Sequence, residues 1–531
     1  MFNRIIPILV ILLSFSTGYL YGQKKKAPPV LSAEEKKMVK KDASTMFTTT
    51  DYRGALSAYL DLYTLDPQNV EYNFRLGYCY LVTTVNKKAA LKHLEFAIQS
   101  KKDLKNEWFF YLGLAYMYND RWDEAIKAFE DYKSLSHAKP IKDFPLTDRL
   151  LENCTNGKEL SSHPVNCKFT NVGKSINTAY EEYSPVISGD GTSLFFTSRR
   201  KGNAGGFIED LGIYTADIYF SLWKDTLWSK AKNLGASVNT NWDEESIGLS
   251  PNGDQLILYF DNEQAFGDIG ISLLKGKMWQ KPIMLPPPIN TKEEEYSACF
   301  SSDFLTIYFS SNRKEGIGGK DIWVSKKTDG IWGKPENLGN GINSIFDEKN
   351  PTLSLDGRRL YFSSKGWNSM GDFDVFCCYW NDADGKWSKP VNIGYPINDA
   401  DDNSGISFTG DNRFAYVSAC RHEGYGDKDI YKIEFLDTLN HPFVHVVGGT
   451  VSGGGGKVAI RKVTLNNLKT DAKQEFTTQA QGNQYFMVVE PGDYLFKVEA
   501  KNYQAYTDTL SVDNEFPPVR IIKNVQMISS K

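Results

Sequence analysis

The sequence has 531 residues, of which 41% are hydrophobic and 13% aromatic, and 61 basic against 65 acidic residues give a net charge of −4. A chain of this length is too long for one hydrophobic core and predicts about three domains. Because the charge is nearly balanced and forms no long block of either sign, nucleic acid is not expected as a partner, nor is a strongly basic membrane patch.

Residues 1–22 have the pattern of a signal peptide. Arg4 carries a positive charge, residues 5–15 form an apolar run, and Gly18 or Gly22 offers a small residue for cleavage. The run is shorter than the ~20 apolar residues that a transmembrane helix needs. We therefore expect export to the periplasm, with outer-membrane association left open. An uncleaved N-terminal anchor is the alternative.

Seven cysteines are scattered along the chain without CxxC or Cys/His spacing for zinc. In an exported protein a disulfide between Cys154 and Cys167 would close a small loop. The odd number and wide scatter favour buried free thiols instead.

Residues 32–137 carry a helical pattern in three similar units. Ala55, Ala90 and Ala125 stand 35 residues apart, and Tyr59 and Phe129 follow the first and last of them by four residues. This pattern resembles tetratricopeptide repeats and implies an all-α solenoid with a concave surface for a partner protein. Residues 138–164 read as a last helix plus linker. Three residues are candidate partner contacts in the groove: Asn73, Tyr80 and Phe109.

Residues 165–436 repeat one phrase five times. Each copy has a hairpin turn of the Ser-x-Asp-Gly type or a relative of it, a β-rich run, an Asp-Ile-Tyr-like strand and, in all but the last, a strand around a tryptophan. A period near 50 residues with several short strands is typical of a β-propeller. We expect five blades, with six as the alternative, and a segment from Cys167 closing the incomplete last blade. The copies open at Ile176-Asn177, Val238-Asn239, Ile289-Asn290, Ile342-Asn343 and Ile397-Asn398.

Two resemblances follow from these motifs. The repeats look like the WD-like propeller repeats of TolB and of many exported proteins of the Bacteroidota. Residues 443–531, with alternating apolar positions and a Pro491-Gly492 turn, resemble the carboxypeptidase-regulatory-like β-sandwich, in which Asn502 replaces a usual glycine.

The basic residues of the repeats have two possible roles. Arg313 and Arg421 each precede the aspartate of the next strand, Asp321 or Asp429, by eight residues. A repeated Arg–Asp ion pair that holds the intervening loop is the first interpretation. The second is a mouth that binds an anion or peptide through Arg199, Arg200, Arg313 and Arg421. Four tryptophans recur once per unit and are expected in blade packing: Trp228, Trp279, Trp332 and Trp387.

Trp367 is less regular than these four and is our candidate for an exposed contact. The paired carboxylates recur in every unit, so we assign no catalytic residue and no metal ligand, although a weak cation site at the mouth stays open. No G-x-S-x-G, Walker or dinucleotide motif occurs. We expect a protein that is not an enzyme and has no cofactor.

The order of the three modules resembles the PorE group of envelope components, associated with type IX secretion and gliding in Bacteroidota. Members usually continue into an OmpA-like peptidoglycan-binding domain, which the sequence up to Lys531 does not show, so direct cell-wall anchoring is not expected. The resemblance implies a periplasmic scaffold or adaptor whose partners are envelope, outer-membrane or secretion-system proteins. Alternatives are a propeller that binds a glycan or peptide, and an accessory subunit of a hydrolase.

Overall fold

The computed structural model describes residues 32–530 except 101–104, 136–140, 142–143, 207–212, 251–252, 263–264, 303, 437–444, 477–481 and 514–520. The predicted signal peptide lies outside the described residues. Within them, no helix is long and apolar enough to cross a membrane.

Helices form the first region, the helical domain. Its members are α1 (Ala33–Thr48), α2 (Tyr52–Leu65), α3 (Val70–Val82), α4 (Ala90–Ser100), α5 (Glu107–Met117), α6 (Trp122–Ser134) and α7 (Thr147–Ser162), with a short 3₁₀ turn at Lys87–Ala89. A Cβ on Gly77 would lie 2.5 Å from Leu94, and one on Gly113 would lie 2.6 Å from Phe129. Glycine therefore lets α3 approach α4 and α5 approach α6. The helix α7 occupies most of the segment that we read as a last helix plus linker.

Antiparallel sheets form the second region, the five-sheet domain. The strands of its first two sheets, and β1, are β1 (Cys167–Asn171), β2 (Glu182–Ile187), β3 (Ser193–Ser198), β4 (Asp217–Lys224), β5 (Leu227–Trp228), β6 (Lys232–Asn233), β7 (Asp243–Leu249), β8 (Gln255–Asn262), β9 (Ala265–Lys275), β10 (Met278–Trp279) and β11 (Ile283–Met284). The other three sheets contain β12 (Glu295–Phe300), β13 (Thr306–Ser311), β14 (Asp321–Thr328), β15 (Ile331–Trp332), β16 (Glu336–Asn337), β17 (Glu348–Leu353), β18 (Arg359–Ser364), β19 (Asp374–Asn381), β20 (Lys386–Trp387), β21 (Val391–Asn392), β22 (Ser407–Phe408), β23 (Phe414–Ala419) and β24 (Asp429–Phe435).

The first four sheets share one topology, seen in the order β2-β3-β4-β5 with β6 also paired to β4. The fifth has the order β1-β24-β23-β22, with Cys167 opposite Phe435, so the strand from Cys167 completes the last sheet as predicted. Pairing the two ends of the domain removes an open edge. Trp228, Trp279 and Trp332 are buried and Trp387 is half-buried, which confirms their predicted role in packing.

The first strands of the sheets surround a central cavity. Strands β2, β7, β12 and β17 contact one another in succession, and β22 and β23 contact β2. The cavity measures about 130 Å³ and is lined by residues of all five sheets. One end of it faces the hairpin turns that follow the first strands. The other end lies on the side where the second strand of each sheet leads into the third.

The last region is a separate pair of sheets, the C-terminal domain. Its strands are β25 (His445–Gly453), β26 (Gly456–Lys457), β27 (Ile460–Asn467), β28 (Lys473–Phe476), β29 (Gln484–Val489), β30 (Gly492–Ala500), β31 (Tyr506–Val512), β32 (Ile521–Ile522) and β33 (Val525–Met527). One sheet has the order β26-β25-β29, with β32 and β33 also paired to β25, and the other has the order β28-β27-β30-β31. Val447, Leu465 and Phe496 belong to the apolar core that the two sheets enclose.

All seven cysteines lie in described residues and are free. Cys154 is buried in α7, whereas Cys167 is half-buried in β1. The alternative of a bridge between them is therefore wrong. Burial raises the pKa of Cys154 to about 12, so its thiol stays protonated at neutral pH.

Candidate functional site

A buried glutamate is the first or second residue of the first strand in four of the five sheets. Glu182, Glu244, Glu295 and Glu348 are all fully buried. Each accepts hydrogen bonds from a Thr or Ser four residues earlier. For Glu295 the donors are the backbone N–H and the hydroxyl of Thr291, at 2.8 and 3.0 Å. The repeated carboxylates seen in the sequence thus anchor the turn that enters each sheet.

Two of these glutamates pair with arginine. The Arg200 guanidinium lies 3.0 Å from Glu182, and that of Arg313 lies 2.8 Å from Glu295. Each arginine also donates to the backbone carbonyl of the isoleucine that opens its repeat, at 2.9 Å in the first sheet and 2.8 Å in the third. Both guanidinium groups are therefore engaged inside their own sheet.

The predicted Arg–Asp pair is wrong. Asp321 accepts instead from the backbone N–H of Gly318 at 3.0 Å and from the side-chain amide of Asn337 at 2.8 Å. Asp217 accepts in the same way from Ala204 and Asn233. The aspartate does hold the loop before it, but through backbone N–H groups, while the arginine turns toward the glutamate.

Arg199 and Arg421 are also occupied. Arg199 forms an ion pair of 3.0 Å with Asp243 of the neighbouring sheet. The Arg421 guanidinium stacks 3.9 Å from the Phe169 ring centre and lies 3.6 Å from Glu423. All four predicted arginines thus already have partners within the chain.

Trp367 replaces the arginine in the fourth sheet. Its indole N–H donates at 3.0 Å to the carbonyl of Ile342, which corresponds to the carbonyls that Arg200 and Arg313 reach. The ring is half-buried and packs against the buried core of that sheet, and its role as a contact for a partner stays a prediction. Glu348 consequently has no arginine, and burial raises its pKa to about 7.

This difference predicts a pH dependence. The pKa of Glu348 is about 7 in the folded chain against the ordinary 4.5. Between these values the folded state holds a proton that the unfolded state has released, so stability falls as pH rises from 4.5 to 7 and then levels off. We expect Glu348→Gln, which mimics the protonated form, to raise the free energy of unfolding by roughly 1–3 kcal/mol at pH 8 and not at pH 4. Denaturant unfolding at both pH values measures this; the exposed Glu336→Gln is the control, and equal effects at both pH values would contradict it.

The helical domain docks on the five-sheet domain through α7. Three side chains on one face of this helix donate to carbonyls of the loop between β18 and β19. Arg149 reaches Lys365 at 2.6 Å, Asn153 reaches Gly371 at 2.6 Å and Asn156 reaches Ser369 at 3.0 Å. The loop that contains Trp367 is thus bound within the chain.

Met370 of this loop enters the helical domain. It is fully buried in the apolar cluster that also holds Leu81 of α3 and both Leu114 and Met117 of α5. Ala400 belongs to the same cluster. The helices predicted to receive a partner protein therefore already hold a loop of the five-sheet domain.

Ion pairs lie beside this apolar contact. Lys87 lies 2.5 Å from Asp401, and Arg53 lies 2.5 Å from Asp427. Because the Lys87–Asp401 pair is largely shielded from solvent, removing one partner should cost more than at an exposed pair.

The three residues predicted to contact a partner in the groove take part in packing between the helices. Asn73 is buried, donates to the carbonyls of Pro67 and Asn69 at 2.9 Å, and lies 2.8 Å from Nδ1 of His93. Tyr80 stacks on His93 with 5.9 Å between ring centres. Phe109 is half-buried and packs against the helical core. Asn73 is too buried for a partner to reach, so the structure does not support a partner contact there. For the half-buried Tyr80 and Phe109 a partner contact stays a prediction.

The residue after the buried glutamate differs from sheet to sheet. It is Tyr183, Glu245, Tyr296 and Lys349 in the first four sheets, and the Tyr183 hydroxyl donates to Glu245 at 2.8 Å. Lys349 lies 4.0 Å from Asp402. These side chains form a polar cluster on the helix-facing side of the five-sheet domain. The sequence could have revealed it, because the residue after the glutamate changes in charge between the repeats.

Lys428 completes this cluster at 2.9 Å from Asp402. Burial opposes ionisation of Asp402, but Lys349 and Lys428 outweigh it and hold its pKa well below the ordinary range. Asp402 and Lys428 are therefore charged and paired with each other at neutral pH. In the described part of the chain, no group of three or more His, Cys, Asp or Glu could hold a metal ion, so the cation site left open gains no support.

Comparisons with known proteins were made for the whole chain. No family model matches, and no curated protein matches. Among solved structures, TolB from Acinetobacter baumannii is 13% identical with a TM-score of 0.29, covering 48% of this chain; the match spans about half, 54%, of TolB. An α-L-arabinofuranosidase from Lactobacillus brevis is 11% identical with a TM-score of 0.32 over 51% of this chain and 93% of the enzyme. MamA is 22% identical with a TM-score of 0.16 over 25% of this chain and 86% of its own. All three scores lie below 0.5, so the fold rests on the sheets and helices themselves.

Proposed function

We propose that the protein is a non-enzymatic scaffold or adaptor of the cell envelope. In this proposal the helical domain is a tetratricopeptide solenoid, the five-sheet domain is a five-bladed propeller, and the C-terminal domain is a carboxypeptidase-regulatory-like sandwich. Export to the periplasm, outer-membrane association and membership of a type IX secretion or gliding assembly, as in the PorE group, belong to the same proposal.

This proposal is supported mainly by the burial of Met370 of the five-sheet domain in the apolar cluster of the helical domain. Domains of one chain move relative to each other unless their interface is large and apolar. Here a buried methionine, three side-chain hydrogen bonds from α7 and two ion pairs join the helical and five-sheet domains. A scaffold must hold its binding surfaces at a fixed distance and angle, and this junction supports that role.

Recovery of partners from an envelope extract tests the function. Tagged full-length protein should retain a defined envelope or secretion-system protein, and a Met370→Asp variant, with its domains undocked, should lose it. Fractionation with and without detergent tests the compartment in parallel. Recovery of the full-length chain in the cytoplasm would contradict the proposed location.

A propeller that binds a small ligand is the second candidate. It is favoured by a cavity of about 310 Å³ between the first and fifth sheets, beside the part-exposed indole of Trp223 and the carboxylates of Asp190 and Asp411. If glycans or peptides raise the melting temperature while no envelope protein is retained, the second candidate replaces the first.

A further inference from the structure

The polar cluster on the helix-facing side of the five-sheet domain brings together three different polar groups. Glu245 in β7, Tyr296 in β12 and Lys349 in β17 each follow the buried glutamate of their sheet. Because β7 and β17 both contact β12, the three residues lie at equivalent positions of neighbouring strands, at one end of the central cavity. The Lys349 ammonium lies 5.9 Å from the centre of the Tyr296 ring.

All three side chains have unused hydrogen-bonding capacity. The Tyr183 hydroxyl donates to Oε1 of Glu245 at 2.8 Å, but in the part of the chain that the structure describes Oε2 accepts no hydrogen bond. Nζ of Lys349 and the hydroxyl of Tyr296 likewise have no hydrogen-bond partner there, and none of these three atoms is sealed from solvent. The Lys349 side chain is 14% exposed and Glu245 is 9% exposed. A small molecule can therefore reach these atoms.

The charges of Glu245 and Lys349 are incompletely matched within the chain. Asp402 lies 2.9 Å from Lys428 but 4.0 Å from Lys349, which is beyond hydrogen-bond distance. Two ammonium groups thus share one carboxylate. Among the described residues, Glu245 has no basic group within 4.0 Å, and Arg199 pairs with Asp243 instead. The cluster therefore has a surplus positive charge in the fourth sheet and a surplus negative charge in the second.

The pKa directions agree with this assignment. Burial raises the pKa of Glu245, although the hydrogen bond from Tyr183 and the charge of Lys349 oppose it, and burial lowers the pKa of Lys349. Both shifts favour the neutral form. In the Lys428–Asp402 pair the partner outweighs burial, so the pKa of Asp402 is lowered and that of Lys428 is raised. A counter-charge from outside the chain would thus stabilise Glu245 and Lys349 in their charged forms.

We propose that this end of the cavity binds a small zwitterion, an amino acid or a short peptide, with its carboxylate at Lys349 and its ammonium at Glu245. Tyr296 lies between these two residues, where its hydroxyl can donate to the carboxylate. A zwitterion supplies both counter-charges. An anion would meet repulsion from Glu245, and a neutral sugar would leave both charges uncompensated. The inference is independent of the adaptor function, and the site differs from the cavity beside Trp223.

Ligand-observed NMR titration of the full-length protein with alanine and with dialanine tests the site. Both probes are zwitterions, and the tighter binder distinguishes an amino acid from a peptide as the occupant. N-acetylalanine keeps only the carboxylate, alaninamide keeps only the ammonium, and methyl glucoside has neither. We expect these three to bind about tenfold or more weakly than the better zwitterion, since at least one charge-assisted hydrogen bond is lost. Binding of neither zwitterion, or equal binding of any of the three, would overturn the proposal.

Two variants test the two charges separately. Lys349→Met should weaken binding of the better zwitterion about tenfold or more and leave the weaker binding of alaninamide unchanged. Glu245→Gln should weaken the zwitterion to a similar extent and leave N-acetylalanine unchanged. The matched controls Lys326→Met and Glu336→Gln remove exposed charges and should bind as the parent does. Melting curves verify folding. Unchanged binding of the zwitterion by either Lys349→Met or Glu245→Gln would overturn the proposal.

The same measurements separate this inference from the proposed function. If an envelope protein is retained from the extract but neither zwitterion binds, the adaptor function stands and the site is wrong. If no envelope protein is retained but binding of the zwitterion requires Lys349, the site stands and the adaptor function is wrong.

Discussion

Replacing Glu295 with glutamine should lower the free energy of unfolding by about 3–5 kcal/mol, because the substitution leaves a buried guanidinium without its counter-charge. Arg313 lies 2.8 Å from this carboxylate and is only 10% exposed. Its remaining bonds to the Ser311 hydroxyl and the Ile289 carbonyl cannot neutralise its charge. Denaturant unfolding of the full-length chain measures the loss.

The matched control is the same substitution in the fourth sheet. Glu348 has a serine at 2.6 Å and no arginine, so Glu348→Gln should be neutral or stabilising at neutral pH. The opposite effects would show that the arginine, not the buried carboxylate, decides the outcome. Similar losses at both positions would contradict the assignment of an Arg–Glu pair.

Replacing Met370 with aspartate should separate the helical domain from the five-sheet domain. A charge would then stand in an apolar cluster where the methionine is fully buried, at a cost of about 3–5 kcal/mol. We expect hydrogen exchange to accelerate in α7 and in the loop between β18 and β19, while the cores of the five sheets keep their protection.

Met278→Asp is the control for this variant. Met278 is 71% exposed on an outer strand, so the same change in charge should leave both exchange and melting unaltered. If Met370→Asp also left the exchange of α7 unaltered, the methionine would not hold the domains together.

The repeat itself could be predicted from the sequence for a physical reason. Turn residues and apolar alternation act over a few positions, so five copies of the turn and strand pattern predicted five antiparallel sheets, of which the first four share one topology. The missing strand of the last copy likewise pointed to Cys167, because an open edge is unfavourable.

Side-chain partners could not be predicted in the same way. Arg313 and Asp321 flank one loop in sequence, yet the long arginine reaches back to Glu295 across its own sheet, where the acid is buried. Asp321 instead accepts hydrogen bonds from backbone N–H groups of its own loop, which lie closer to it. Sequence spacing fixes which strands pair, but not which of several nearby polar atoms a flexible side chain reaches.

The candidate sites lie where the repeats differ. Trp367 replaces an arginine, and Met370 joins two domains. The sequence showed that the Trp367 loop is unusual. Composition alone, however, does not distinguish an exposed loop from a loop that another domain of the chain covers. Only the position of α7 shows which of the two it is.

The fixed junction between the helical and five-sheet domains is the central claim, and a distance distribution tests it most directly. Spin labels at Lys127→Cys and Lys326→Cys, both exposed, report on the two domains, with Cys167 and Cys420 replaced by serine because the other cysteines are buried. Pulsed electron paramagnetic resonance should give one narrow distribution that broadens with Met370→Asp. A distribution that is already broad with Met370 in place would contradict the account.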